Sequence, residues 1–439
     1  MPRLDEADAR QLLARILKRS RAPACEVTIG GSRGGNMRCA RNTVTTAGAT
    51  QDLNLSVTSY EGRRRGVATA NQFDDATLER TVRRSEQLAQ LAPEDPEAMP
   101  PLGPQVYTPV PHAYREATAA ITPAYRATVA ETSIGAARAG GCVAAGFLQD
   151  SASWRAMANS AGLFAWYRQT GLEFSVTMRT GDGAGSGYAA RDENDADRFN
   201  GAAASGIALE KALASRQATA LEPGKYTVIM EPTAAVELLQ PLVFGLDARE
   251  ADEGRSPLSR PGGGTRVGEQ LVNESVSIWS DPAHPDVPTA PWSSDGRPQQ
   301  RVTWIDRGVV QNLQYSRYWA QQQGKPATPP PDGFIMAGGN MTLDELIRDT
   351  SRGILVTRFW YIRTVDPQTL LLTGLTRDGT FLVENGRIVH AVSNFRFNES
   401  PIIMLNNVEA LGQPVRVQGC MVPPMRIRDF PFTSLSDAT

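Results

Sequence analysis

The sequence predicts an α+β protein: an N-terminal α/β region in which helices flank an antiparallel sheet, then a mostly-β C-terminal domain with a few helices. The first observation is that period-two strand patterns and helical apolar spacings follow one another through about the first half of the chain. The second is a change to many short strands after Pro223 and Gly224. The third is the length of 439 residues, which is enough for two or three domains and a large core.

The first predicted unit is an α+β segment over residues 1–95. Five apolar residues before Arg21 fit one face of an opening helix, namely Leu4, Leu12, Leu13, Ile16 and Leu17. Alternation in Leu53–Thr58, a turn at Glu61–Gly66 and a short strand at Val67–Ala70 together predict a β-hairpin. A helix then begins at Asp74 or Asp75 and runs to about Gln90.

A Pro-rich linker and a helix–sheet–helix segment are predicted next. Five prolines between Pro93 and Pro104 indicate a linker, which we place at residues 96–110. The middle segment, residues 111–220, opens with a helix that starts at Pro111 or Thr122 and ends at Ala139. Strand patterns then extend from Cys142 to Thr180, with a turn at Asn159–Gly162. Residues 181–187 are expected to form a loop, and residues 194–214 a second helix.

The C-terminal domain is predicted to cover residues 221–439. Its short strands are expected at Tyr226–Met230, Val276–Trp279, Arg301–Ile305, Gly353–Ile362 and Gly379–Val383. One helix is expected after Pro232 and another at Leu343–Thr350. The second helix follows the pattern Thr-Leu-Asp-Glu at 342–345, which is typical of a capping box.

Charge and apolar patterning restrict the class of protein. The 45 basic and 47 acidic residues nearly cancel, which argues against direct binding to nucleic acid. The charged stretch before Arg21 lacks the apolar core of a signal peptide, and no apolar run is long enough to cross a membrane. Four scattered cysteines suit a reducing compartment. We therefore expect a soluble cytoplasmic protein with no membrane partner.

No familiar catalytic or nucleotide-binding motif is present. The three histidines, His112, His284 and His390, are too far apart in sequence for two to share a helix, so the two-histidine helix of many zinc hydrolases is missing. The serine in Gly183–Gly187 is out of register for a nucleophile elbow. Pro261–Arg266 is Gly-rich but lacks the Lys-Ser/Thr of a phosphate-binding loop. An unusual site built from His284, His390, Cys420 and a carboxylate such as Asp295 stays open.

The order of several short segments resembles the TldD/PmbA family from Arg41 to the C-terminus. The segments are the hairpin 53–70, Asn159–Gly162, Val228–Pro232, Glu253–Leu258, Ser294–Gly296, Asp306–Val309, Gly338–Leu346, Ser351–Val356 and Leu382–Ile388. Each is short, and the resemblance rests on their order and spacing across about 380 residues.

The resemblance implies one half of a two-chain peptidase. In this family a TldD-type chain carries H-E-x-x-x-H on a helix of the C-terminal domain, with a cysteine near the end as a further zinc ligand. A PmbA-type chain, also called TldE, shares the architecture but lacks the metal motif. The corresponding helix here, Ala234–Gly245, contains no histidine, and the surroundings of Cys420 do not match the ligand context. The resemblance therefore implies a TldE-like chain with no catalytic residue, metal ligand or cofactor of its own.

The implied function is that of a non-catalytic subunit in a zinc metallopeptidase that cleaves unfolded or modified peptides. The partner would be a TldD-like subunit that carries the zinc, in a heterodimer, or a second copy in a homodimer. Contacts with peptide or partner are expected at Leu238, Leu239, Leu242, Arg255 and Gly263, with packing into the core as the other interpretation of the leucines. Two alternatives stay open: a stand-alone peptidase with an atypical site, and a homodimeric binding or scaffold protein without hydrolase activity.

Overall fold

The computed structural model describes residues 4–436 of the chain. Residues 1–3 of the predicted first segment and residues 437–439 of the predicted C-terminal domain lie outside this range. The predicted fold class is confirmed: an antiparallel sheet with helices is followed by a mostly-β region that includes a small barrel. No helix within residues 4–436 has the length and apolar character needed to span a membrane.

The N-terminal half is built on one six-stranded antiparallel sheet. Its elements are α1 (Glu6–Leu17), β1 (Ala24–Ala40), β2 (Thr43–Glu61), β3 (Arg64–Ala70), α2 (Asp75–Leu91), α3 (Glu116–Ala119), α4 (Pro123–Ala139), β4 (Cys142–Asn159), β5 (Phe164–Thr180), β6 (Ser186–Glu193) and α5 (Gly201–Ala214). The strand order is β3-β2-β1-β4-β5-β6, so the first and middle predicted segments share a sheet through the β1–β4 pair. The predicted domain boundaries stay predictions.

Local signals explain where these elements begin and end. The Asp74 side chain accepts a hydrogen bond from the Thr77 N–H and so caps α2, and Thr122 caps α4 in the same way ahead of Pro123. Between β4 and β5 the carboxamide oxygen of Asn159 accepts from the N–H groups of Ala161 and Leu163, which confirms the predicted turn.

Strand lengths differ from the sequence-based expectation. The strand pattern predicted from Cys142 to the turn at Asn159–Gly162 forms one long strand, because every residue from Cys142 to Ala158 pairs with β5. The loop expected at 181–187 ends early, since β6 begins at Ser186 and pairs with β5. The central strand β1 was not predicted at all: four of its seventeen residues are glycines at 30, 31, 34 and 35, which weaken a strand pattern.

The C-terminal region combines a closed barrel with a second sheet. Its elements are β7 (Gly224–Met230), α6 (Pro232–Phe244), α7 (Ala248–Asp252), β8 (Ile278–Ser280), β9 (Val302–Asp306), β10 (Val309–Val310), α8 (Arg317–Gln323), β11 (Ile335–Met336), α9 (Leu343–Arg348), β12 (Arg352–Asp366), β13 (Leu371–Glu384), β14 (Arg387–Ala391), β15 (Phe395–Glu399), α10 (Pro401–Asn406), β16 (Val408–Leu411), β17 (Val415–Val417), β18 (Cys420–Val422) and β19 (Met425–Leu435). The order β12-β7-β19-β15-β13 closes on itself because β13 also pairs with β12. The second sheet has the order β10-β9-β8-β11-β18-β17.

The largest apolar core lies in this region, and α6 is at its centre. The helix is apolar along most of its circumference, and it packs beside the barrel strand β12 and the hairpin β17–β18. Five phenylalanines of the barrel are buried with it: Phe359, Phe395, Phe397, Phe430 and Phe432. The capping box predicted at Thr342 is present at the start of α9.

Candidate site on the central helix of the C-terminal region

One face of α6 is left partly open by the core. Thr233, Glu237, Gln240 and Phe244 are only partly buried or exposed, and they are separated by four, three and four residues. At 100° per residue these four side chains lie along one side of the helix. The remaining side is filled by core residues, so these four side chains form the open face of α6.

The start of α6 is held by polar side chains from two other elements, α5 and β12. Glu231, at the N-cap position, accepts from the Lys211 ammonium at 2.7 Å and from the Thr357 hydroxyl at 3.2 Å. Its side chain makes no cap hydrogen bond, and Pro232 at the first helical position has no N–H that would need an acceptor. The Lys211–Glu231 pair is largely buried and joins α5 to the C-terminal region, so it positions the helix relative to the N-terminal sheet.

A second polar cluster, around Asp378, joins the N-terminal sheet to the barrel. The Asp378 carboxylate accepts from the Ser186 hydroxyl at 2.5 Å and lies 3.7 Å from the guanidinium groups of both Arg358 and Arg377. The Arg358 guanidinium also stacks 4.1 Å from the ring centre of Tyr188. Because Ser186 and Tyr188 belong to β6, these contacts fix the N-terminal sheet against the barrel.

Glu237 is the most perturbed acid of the open face. Burial raises the pKa of its carboxyl to about 8, although the nearby charge of Arg358 and the backbone N–H of Phe359 oppose that rise. One carboxyl oxygen, Oε2, is buried and has no hydrogen-bond partner within the described residues. The side chain is therefore mostly a neutral acid at pH 7. The sequence offered a signal for this residue, because a glutamate between Val236 and Leu238 in an apolar helix is uncommon.

A cleft of about 280 Å³ continues from the end of this face. Its walls include Phe244, Asp332, Arg416, Gln418 and Cys420. Gln240 donates to the Gln418 side chain at 3.2 Å and connects the helix to the β17–β18 turn.

The Arg416 side of the cleft is rigid. The guanidinium donates to Asp192 at 2.8 Å and to Asn194 at 3.2 Å, and it also contacts the backbone carbonyl of Asp286. The N–H of Gly419 donates to the same Asp192 carboxylate at 2.9 Å. These contacts fix the β17–β18 turn, and with it the cleft wall, against the N-terminal sheet.

Cys420 is a buried free thiol beside this cleft. Its exposed fraction is 1%, and burial raises the pKa of the thiol to about 12, against a smaller opposing contribution from the backbone at Phe334. A thiol must lose its proton to bind zinc or to act as a nucleophile. In this structure Cys420 is therefore protonated at neutral pH and acts as a small apolar residue.

The histidines are held at separate places. His112 is beside Arg115 at 3.1 Å, His284 accepts from the Asp286 N–H at 3.2 Å, and His390 is 3.1 Å from the Thr219 hydroxyl. Asp295 is engaged with its own neighbours, because it accepts from Ser293 and from Arg297. Across residues 4–436 no group of three or more His, Cys, Asp or Glu side chains is placed to hold a metal ion.

The five predicted contact residues fall into two sets. Leu238, Leu239 and Leu242 are buried in the main core on the closed side of α6. Arg255 pairs with Glu253 at 2.6 Å, and Gly263 is in a loop at a φ of 110° with open space around it. These residues are not brought together in one place, and their contacts with a peptide or partner stay a prediction.

Together, the central helix and the cleft present amide groups, a carboxyl with a raised pKa and apolar surface.

Three family models match this chain, and together they identify its family. Residues 25–89 match PmbA/TldA metallopeptidase domain 1, residues 117–216 match the central domain, and residues 223–434 match the C-terminal domain. The chain therefore belongs to the PmbA/TldD metallopeptidase family. No protein of curated function matches its sequence.

Solved structures share the fold over nearly the full chain. TldE from Thermococcus kodakarensis is 16% identical with a TM-score of 0.87, and 96% of this chain and 99% of that chain are covered. A protein from Thermotoga maritima, whose name proposes that it modulates a DNA gyrase, is 17% identical with a TM-score of 0.86, over 97% and 100% of the two chains. A similarly named protein from Bacteroides thetaiotaomicron is 19% identical with a TM-score of 0.85, over 99% and 100%. At these identities the likeness concerns the fold.

Proposed function

We propose that this chain is the non-catalytic, TldE-like subunit of a zinc metallopeptidase that cleaves unfolded or modified peptides. In this proposal a TldD-like partner supplies the zinc and the reacting groups, and this chain forms part of the chamber that holds the peptide.

The observation that carries the proposal is the composition of the open face of α6. Thr233, Glu237, Gln240 and Phe244 are the residues of this face, and only Phe244 lines the cleft. Among the four, only Glu237 has a side chain that zinc commonly binds. Burial raises the pKa of its carboxyl to about 8, which disfavours the deprotonated form that a metal ligand needs. The protonated Cys420 thiol nearby adds no anionic ligand.

A free strand edge in the N-terminal sheet supports a role in binding extended peptide. Residues 55–61 of β2 pair with β3, whereas residues 43–54 pair with β1 alone. This outer edge presents unpaired backbone N–H and C=O groups, which an added strand can satisfy independently of side-chain sequence. Binding of that kind suits a chamber that accepts unfolded chains with little sequence choice.

The test is reconstitution with and without the partner. The chain is purified alone, and together with a TldD-like subunit from the same cell. For each sample we measure the native mass, the zinc content and the cleavage of an unfolded polypeptide. A matched control uses a partner in which the glutamate of H-E-x-x-x-H is replaced by glutamine.

The expected result is a complex that contains zinc and cleaves the polypeptide, and a lone chain that does neither. The control complex is expected to keep its mass and lose cleavage, because the base is in the partner. Stoichiometric zinc or cleavage by the lone chain would refute the proposal. A stable homodimer that does not bind the TldD-like subunit would also refute it, and would favour the alternative of a homodimeric scaffold protein.

A further inference from the structure

A second pocket lies on the face of the N-terminal sheet that the helices cover. The residues that line it all precede α6 in the sequence. Its volume is about 410 Å³, which is in the range of small-molecule sites. One wall is the start of α1, the floor is formed by strands β1, β2, β4 and β5, and Tyr114 lies on the far side. The pocket exists because α1 and α4 cover neighbouring parts of the sheet and leave the strip between them open.

The floor of the pocket is aromatic. The rings of Trp154 and Trp166 are stacked with centroids 5.7 Å apart and planes inclined by 22°. Glycine is needed beneath them, since a Cβ on Gly31 would lie 2.7 Å from atoms of the Trp154 indole. Neither indole N–H donates to a protein acceptor within residues 4–436. The floor therefore offers a flat apolar surface and two available donors.

Two guanidinium groups line the same pocket. Arg168 stacks 4.1 Å from the ring centre of Tyr114, and Arg33 donates to the carbonyl of Ala119 at 3.0 Å. Neither arginine forms an ion pair with a carboxylate in the part of the chain that the structure describes. Stacking on an aromatic ring fixes a guanidinium while leaving its edge free for a carboxylate.

The acidic residues of the pocket are mostly engaged with their own neighbours. Asp5 accepts from the Asp8 N–H at 2.9 Å as the cap of α1, and Glu6 pairs with Arg10 at 3.4 Å. Asp52 is exposed on β2. Among the described residues of the pocket, the two arginines therefore lie on the floor without a carboxylate partner, and the exposed acid is Asp52 on β2.

We propose that this pocket binds a bulky apolar residue that carries a free carboxylate, with its side chain against Trp154 and Trp166 and its carboxylate at Arg33 and Arg168. Two sources have this chemistry: the C-terminal residue of a peptide and a free aromatic amino acid. The site is complete within one chain, so it requires neither a partner subunit nor zinc.

The experiment is calorimetric titration of the full chain with three probes. Two are the same N-acetylated pentapeptide ending in phenylalanine, one with a free terminal carboxylate and one with a terminal amide. The third is free phenylalanine. The variants are Arg168→Gln and Gly31→Ala, and the matched control is Arg84→Gln, an exposed arginine on α2. Circular dichroism establishes that each variant is folded.

The expected result is that the peptide acid binds at least about tenfold more tightly than the amide, because the amide cannot form the charge-assisted bonds. Arg168→Gln is expected to remove that difference, and Arg84→Gln to preserve it. Gly31→Ala is expected to weaken the binding of the acid by displacing an indole, and it serves as the decisive variant if Arg168→Gln does not fold.

The outcomes separate the two sources and can overturn the proposal. Tighter binding of the peptide acid than of free phenylalanine identifies a peptide terminus as the ligand, and the reverse order identifies the free amino acid. Equal affinities for acid and amide, or no binding of either acid up to its solubility limit, would refute the site. Because the chain is tested alone, this result does not depend on the subunit role.

Discussion

Replacing Glu237 by glutamine tests the electrostatics of the α6 site directly. Burial raises the pKa of this carboxyl from its ordinary value of 4.5 to about 8. The unfolded chain thus releases the proton near pH 4.5, and the folded chain holds it to about pH 8. Between these two pH values, deprotonation stabilises the unfolded state more and more as the pH rises. The free energy of unfolding therefore falls across this window.

The magnitude follows from the size of the displacement. At 1.36 kcal/mol for each pKa unit, holding the proton from pH 4.5 to about 8 costs the folded state at most about 5 kcal/mol above pH 8. Glutamine has nearly the same shape and no titration, and its oxygen can still accept from the Phe359 N–H. Relative to the wild type, Glu237→Gln is therefore expected to gain stability steadily from pH 5 to pH 8.

The assay is urea unfolding of both chains in steps of pH across this window, with Glu131→Gln on α4 as an exposed control. The control is expected to follow the wild type at every pH. If the stability difference between Glu237→Gln and the wild type stays constant from pH 5 to pH 8, the carboxyl is not held neutral, and burial does not disfavour Glu237 as a metal ligand.

Three further changes test the packing. Arg126→Met is expected to lower the free energy of unfolding by about 3–5 kcal/mol, because it leaves the buried Asp150 without the guanidinium that lies 2.5 Å away. Urea unfolding measures this loss, and an unchanged midpoint would contradict it. Gly308→Ala is expected to lower the free energy of unfolding, measured by thermal unfolding, by about 2–4 kcal/mol, because its Cβ would overlap a backbone carbonyl. Gly183 has the same φ of 76° but open space around it, so Gly183→Ala is expected to lower it by only about 1 kcal/mol. Cys420 is expected to resist iodoacetamide at pH 8 until the protein is unfolded in urea, and rapid alkylation of the native chain would show that its thiol is accessible.

Sequence patterning succeeded where a local signal decides the structure. The helix at Asp75–Leu91, the β2–β3 hairpin and the capping box at Thr342 were all predicted, because caps, turns and alternation act between residues close in the chain. The strand β1 was not predicted, because its glycines make room for side chains that lie far away in the sequence. A Cβ on Gly31 would overlap the Trp154 indole, and one on Gly35 would overlap the Arg126 guanidinium.

The candidate site was predictable only in part. The lack of histidine in α6 was evident from the sequence. The sequence did not reveal the open face, the raised pKa of Glu237 or the contacts of Glu231 and Asp378. These features depend on Lys211, Ser186 and Arg358, which belong to other elements of the fold. The pocket over Trp154 and Trp166 was also invisible, since the two rings meet only after β4 and β5 pair.

The sequence by itself determined much of the succession of helices and strands, the resemblance to the TldD/PmbA family and the lack of the two-histidine metal motif. Only the tertiary structure decided which side of α6 stays open, which acid and thiol keep their protons, and where two tryptophans form a floor. The physical reason is that propensities, caps and periodicity act over a few residues, whereas desolvation, stacking and ion pairing depend on groups that folding brings together from far along the chain.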